Sequence, residues 1–364
     1  MRKLLMMLAI VVVLTGSIKA SDVVQRQAEM LETHRLVEAV PDRAKEFLQD
    51  VAPEELPDFW ENIKKIVSGA LKESVSTVKI AGKTAFLIIA IVVICVIVAT
   101  VTDGKMQTIC TLAGALSIGL CCVEDVQSMV GLGQRTISEI SDFCKLLIPV
   151  LAGATTASGA PVSSVGIQTC TVVFLQLLTA LINRFLVPAV YGFLVLAIIG
   201  CAQENDAVRR IQKMIGTFLK KSLRIILFIF SGVISITGII SGSADALTVK
   251  TAKMAVASAV PVVGSMVADA SETVLISAKM LRNSVGIFGM LAAFSIMIVP
   301  FLRLAIHYLI LQFAELLCSA VGGKSLVGLV GTVSSSVGYM LAMVSCCGLM
   351  AFISCVCFMK VASL

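Results

Sequence analysis

The sequence predicts an all-α, polytopic membrane protein with a small exported helical segment at its N-terminus. Three observations carry that expectation. The 364 residues are 58% apolar and only 14% charged, with a mean hydropathy of +0.99, whereas soluble domains run at about 45–50% apolar and about 25% charged. So few charged groups could not cover a soluble particle of this length, which excludes a soluble enzyme or a disordered chain. The charge is also unevenly placed. Residues 21–84 carry 9 basic and 12 acidic side chains, while residues 85–364 carry 17 and 11. Finally, long uncharged runs recur through the second region, starting with residues 85–101.

Three segments follow in chain order. Residues 1–20 have the layout of a secretory signal peptide: Arg2 and Lys3, then an apolar stretch from Leu4 to Leu14, then a short polar run ending at Ala20. That apolar core is too short to span a bilayer comfortably. An uncleaved anchor is the other reading, and both place residues 21–84 outside the cytoplasm. This head is acidic and lacks cysteine. Val37, Val40, Ala44, Phe47, Leu48 and Val51 recur at near-helical spacing, as do Ile63, Ile66, Val67, Ala70, Leu71 and Val75. Its thin apolar content predicts two or three helices packed on the body or a partner, or a loosely ordered tail.

Residues 85–364 form the expected transmembrane domain. Apolar runs at 85–101, 109–123, 143–160, 162–182, 185–202, 223–241, 285–317 and 326–359 predict about seven or eight spans, with 124–142 interfacial and Asn183-Arg184 as a break. Arg209, Arg210, Lys213, Lys220, Lys221 and Arg224 place six basic residues in sixteen positions. A short loop of that kind belongs on the cytoplasmic side, and 143–160 supplies the odd crossing this requires. The loop is a candidate docking face for an acidic partner, or a topology signal alone. The overall excess of base therefore reports orientation. With 5% aromatic residues there is little stacking surface for nucleic acid.

Small residues at 153–160 and 332–338 suit close helix packing or broken helices lining a path. A weak repeat at an offset of 112 pairs Pro149 with Pro261 and Pro188 with Pro300. The stretch 242–283 interrupts the apolar body with charge. Asp245, Lys250, Lys253, Asp269 and Glu272, around a break at Pro261 and Gly264, mark either a polar pathway at membrane depth or an amphipathic hairpin facing solvent. Arg303 and His307, four apart on the next helix, share a face with no partner evident in the sequence.

No catalytic, cofactor-binding or metal-binding set is expected. Gly82-Lys83-Thr84 and Gly323-Lys324-Ser325 end like a phosphate-binding loop, but Thr77 and Cys318 stand where its first glycine is needed. His34 and His307 are the only histidines and share no helix face. The twelve cysteines all lie between Cys95 and Cys357, in or beside apolar runs, and read as small hydrophobes.

The run from Ser241 to Lys253, then Val260-Pro261-Val262-Val263-Gly264-Ser265, Asp269, Thr273-Val274 and Asn283 to Gly289, resembles the stage III sporulation protein AE family. Similarity of layout extends over nearly the whole chain. The resemblance implies a non-enzymatic membrane subunit of a channel-like complex joining mother cell and forespore. It implies residence in the mother-cell membrane around the forespore and support of forespore development. The implied partners are the other stage III A proteins, a cytoplasmic ATPase among them, the forespore stage II protein Q, membrane lipid and further copies of the chain. The alternative is a stand-alone secondary transporter built on the repeat and its broken helices. The orientation has a direct test: a Lys213→Cys variant should react with a membrane-impermeant thiol reagent only from the cytoplasmic side, and labelling of intact cells from outside would overturn it.

Overall fold

A computed structural model describes residues 20–48, 51–54, 58–102, 104–203, 206–259 and 264–361. The expected signal segment, up to residue 19, lies outside them. The described residues form ten α-helices and no strand. Three are short: α1 (Ala20–Met30), α2 (His34–Glu38) and α3 (Asp42–Lys45). The others are α4 (Phe59–Val101), α5 (Lys105–Ala157), α6 (Pro161–Leu181), α7 (Val187–Gln203), α8 (Asp206–Ala259), α9 (Gly264–Val321) and α10 (Lys324–Lys360). A π-turn, Ile182–Leu186, joins α6 to α7.

The all-α membrane architecture is as expected, but the division into spans is not. Among the described residues five helical runs are long and apolar enough to cross a membrane: Phe59–Val101, Met106–Ala157, Pro161–Cys201, Val274–Val321 and Ser325–Lys360. The expected seven or eight segments merge into longer helices. Residues 109–123, 124–142 and 143–160 fall in or at the end of the single helix α5. Its polar side chains do not interrupt it, and several have partners across or along helices: Asp125 with Thr84, Gln134 with Asn183 at 3.2 Å, and Asp142 with Lys145 at 2.7 Å. The break expected at Asn183-Arg184 is absent too, and helix runs from Pro161 to Gln203. Pro188 lacks an N–H and its ring crowds the carbonyl four residues back; the π-turn just before it relieves that crowding without ending the helix. Pro149 and Pro300 likewise sit inside α5 and α9. Pro149 is thus within a helix, while its repeat partner Pro261 lies outside the described residues. The expected span 223–241 lies within α8.

The core runs along α9 and α10. These two helices pack on each other, α9 also on α4 and α5, and α10 on α5, α7 and α8. Phe288, Leu291, Val330, Met340, Met343 and Phe358 are fully buried there. The short N-terminal helices join the same core through Ala28, Leu36, Val40 and Ala44. Gln27 donates to the Val274 carbonyl at 3.4 Å, and Thr33 to Glu54 at 2.9 Å. The expected head–body boundary at 84/85 falls inside α4, whose first half is amphipathic and whose second half is almost wholly apolar.

One corner requires help from a distant residue. After Ala157 the chain turns through Gly159 at φ +95°, a conformation that disfavours a side chain. Gly159 and Ala160 donate back to Thr156 and Thr155 at 3.0 and 3.2 Å, closing α5 with a Schellman turn. The residue that should cap α6 is Ala160, which has no side-chain acceptor, and Pro161 follows with no N–H. Asp245, 4% exposed on α8, takes the cap's place: its two oxygens accept from the Val162 and Ser163 N–H groups, both at 2.9 Å. A carboxylate there satisfies two orphan donors and complements the positive helix end. On the opposite side Arg282 of α9, 2% exposed, donates to the Ser158 hydroxyl at 3.3 Å. Asp245→Ala should lower stability by about 2 kcal/mol, read as a drop in melting temperature in detergent, with Asp245→Asn intermediate. An unchanged melting temperature for Asp245→Ala would show that the cap does not hold this corner.

Candidate functional site

The residues singled out in the sequence are placed as follows. Asp245 is the long-range cap of α6. Lys250 and Lys253 lie on α8, Gly264 begins α9, and Asp269 and Glu272 lie in its first turns; the side chains of these four charged residues, and Pro261 itself, are outside the described part. The expected break at Pro261 and Gly264 falls on residues 260–263, outside the described residues, with α8 described to Ala259 and α9 from Gly264. All six residues of the basic cluster are on the first half of α8.

The cluster divides between two faces. Arg209, Lys213 and Lys220 recur on one side of the helix, and together with Gln212, Gly216 and Thr217 they form one wall of a groove of about 570 Å³. The other walls come from α7 (Phe193, Ala197, Gly200, Cys201) and α10 (Ser325, Gly328, Leu329, Thr332, Tyr339). Arg209 donates to the Ser325 hydroxyl at 3.4 Å and Gln212 to Thr332 at 2.8 Å. At the far end the Lys220 ammonium lies 5.9 Å from the centre of the Tyr339 ring, which packs edge-on against Phe193. Among the described residues no carboxylate lines the groove. Arg210 and Lys221 sit one residue further round the helix, exposed, and Arg224 lies one turn beyond Lys220, also exposed.

A second polar feature runs along α9. Arg303 pairs with Glu73 of α4 at 2.9 Å, and the same carboxylate oxygen pairs with Arg43 of α3 at 3.2 Å. One glutamate therefore binds the N-terminal helices, α4 and α9 together. Burial lowers the pKa of Arg43 from its ordinary value, an effect that Glu73 opposes and Arg303 reinforces. One turn along, buried His307 places Nε2 3.9 Å from Asp125 of α5, and Asp125 in turn accepts from the Thr84 hydroxyl of α4. Further on, Gln312 donates to Ser334 of α10 at 3.1 Å. Polar groups at this depth are costly unless paired. Here Arg303, His307 and Gln312 each meet a polar group of another helix, joining α3, α4, α5, α9 and α10. Arg303 Nε and His307 Nδ1 are left buried without a hydrogen bond among the described residues. Arg303 and His307, which lacked partners in the sequence, acquire them from residues about 180 to 230 positions away.

Sequence reasoning missed Glu73, which counts there as one acid of a charged head, and Asp125, which reads as interfacial. The unpartnered pair at i, i+4 on an apolar helix was the available signal, since two such groups require carboxylates from elsewhere. The α7 and α10 walls of the groove carried no signal beyond small and hydroxylated residues. Among the described residues no cluster of three or more histidine, cysteine or acidic side chains is placed to hold a metal.

Comparison with known proteins gives a single consistent result. No solved structure matches the chain. It is 25% identical over 302 residues to stage III sporulation protein AE of Bacillus subtilis (strain 168), covering 82% of this chain and 74% of that protein. Residues 43–362 match the family described as stage III sporulation protein AE. That match takes in α4 to α10, with the capped corner, the α9 seam and the basic groove, and on it the chain belongs to the stage III sporulation protein AE family.

Proposed function

We propose that this protein is a non-enzymatic membrane subunit of a transenvelope, channel-like complex between mother cell and forespore, and that it supports forespore development from the mother-cell membrane. Membership of a sporulation family supports the setting. The observation that carries the subunit reading is the length of the helices. Helices α5, α8 and α9 have 53, 54 and 58 residues, roughly 80–87 Å at about 1.5 Å per residue. A bilayer's hydrocarbon core is about 30 Å thick. Helices this long extend well past the lipid and present rigid surface to neighbouring proteins, which a stand-alone permease does not need. In this reading the partners are the other stage III A proteins, a cytoplasmic ATPase and the forespore stage II protein Q, and energy is supplied by that ATPase.

The part of the basic cluster outside the groove, Arg210, Lys221 and Arg224, supplies a cytoplasmic docking face for an acidic partner surface. Reversing all three charges to glutamate should reduce co-purification of the ATPase partner by about tenfold or more, because like charges across an interface cost several kcal/mol, and should arrest forespore development. Saturable transport of a small solute by the purified chain alone in vesicles would replace the subunit reading with a secondary transporter.

A further inference from the structure

We propose that the groove between α7, α8 and α10 is a binding site for the phosphate headgroup of an anionic phospholipid. This rests on the membrane character of the chain and is independent of its partners.

Electrostatics gives the sign of the ligand. Arg209, Lys213 and Lys220 line one groove of about 570 Å³ with no carboxylate among the described lining residues. Three cations on one helix face repel one another, and an anion between them relieves that repulsion. The N-terminus of α10 adds to the positive potential: its first turn contributes Ser325 to the wall, and Gly323 before it provides no side-chain cap. Gln212, Thr217, Ser325 and Thr332 keep the rest of the lining polar, Gln212 held by Thr332 and the two threonine hydroxyls by carbonyls of their own helices. Arg209 and Lys213 are four residues apart, roughly 6 Å along the helix, close enough for one phosphate to meet both.

Position and surroundings indicate a lipid as the source of the phosphate. At its Arg209 end the groove meets the end of the apolar run Pro161–Cys201 and the start of the run Ser325–Lys360, which is the depth of a headgroup. Phe193, Ala197 and Leu329 give an acyl chain an apolar wall to follow directly beside the phosphate site, as basic pockets between membrane helices provide for anionic lipids.

The test uses the full chain in detergent, incubated with equimolar cardiolipin, phosphatidylglycerol and phosphatidylcholine, with retained lipid read by native mass spectrometry. Wild type should retain the anionic lipids about tenfold over phosphatidylcholine. Arg209→Gln/Lys213→Gln/Lys220→Gln should lose that preference. So should Gly328→Leu, which keeps every charge: Gly328 lines the groove and a Cβ there meets nothing within 4 Å, so the new side chain enters open space in the groove. Arg210→Gln/Lys221→Gln removes two charges from the neighbouring face and should leave retention unchanged. The proposal is overturned by equal retention in wild type and Gly328→Leu, or by loss in Arg210→Gln/Lys221→Gln as large as in the groove variants. Stabilisation of lipid-free protein by inorganic pyrophosphate without any lipid preference would also overturn it, and would identify a soluble phosphate as the ligand.

Discussion

In hydrocarbon an unpaired backbone N–H or C=O costs several kcal/mol, and this constraint shapes the described chain. A chain that is 58% apolar meets it by remaining helical and by breaking only where the freed groups can be satisfied. Each described break has its own device. Gly104 turns between α4 and α5 with φ +64°, and Gly322 and Gly323 turn between α9 and α10 with φ +111° and +80°. A π-turn carries the chain past Pro188. At the α5–α6 corner local residues cannot do the work, since an alanine and a proline occupy the capping positions, and Asp245 reaches in from α8. The corner therefore ties the position of α8 to the start of α6, and Arg282 ties α9 to the same turn.

Long unbroken helices shift the burden of specificity to the contacts between them. Apolar surfaces pack about as well against lipid tails as against each other, so register along such helices needs polar or close steric contacts. The α9 seam provides the first kind: Arg303 and His307 fix the height of α9 against α4 and α5. Glycines provide the second. Gly133 faces Met340, Gly289 faces Leu147 and Gly348 faces Met297, each so close that a Cβ would overlap the opposing side chain. The polar groups of α9 thus align a bundle whose apolar residues could slide, and the same arrangement leaves the α8 cations on the rim, where they face an open groove and solvent.

The class of fold was legible because composition and charge distribution depend only on residue counts. The family was legible in the 241–289 stretch. The division of the chain was not, and residues 124–142 and 183–184 show why. A polar side chain does not by itself end a helix, and the partners of Asp125, Gln134 and Asn183 come from distant parts of the chain. The basic cluster was visible as a run of charge, but its split into a groove face and an outer face depends on where α7 and α10 pack. Asp245 stood out as a charge in apolar surroundings; its role as a cap requires knowing that Ala160 and Pro161 lie beside it, 83 residues away in sequence.

Helix continuity underlies both the span count and the partner surfaces, and residues 161–203 test it most directly. Spin labels at Val165 and Ile199, both on exposed positions, can be introduced into a background without native cysteines. Their separation is then measured by pulsed electron paramagnetic resonance in lipid nanodiscs. One helix with a π-turn near its middle predicts about 45–50 Å. Two antiparallel spans folded back at Asn183-Arg184 would bring the labels within about 20–25 Å, and that result would contradict the account.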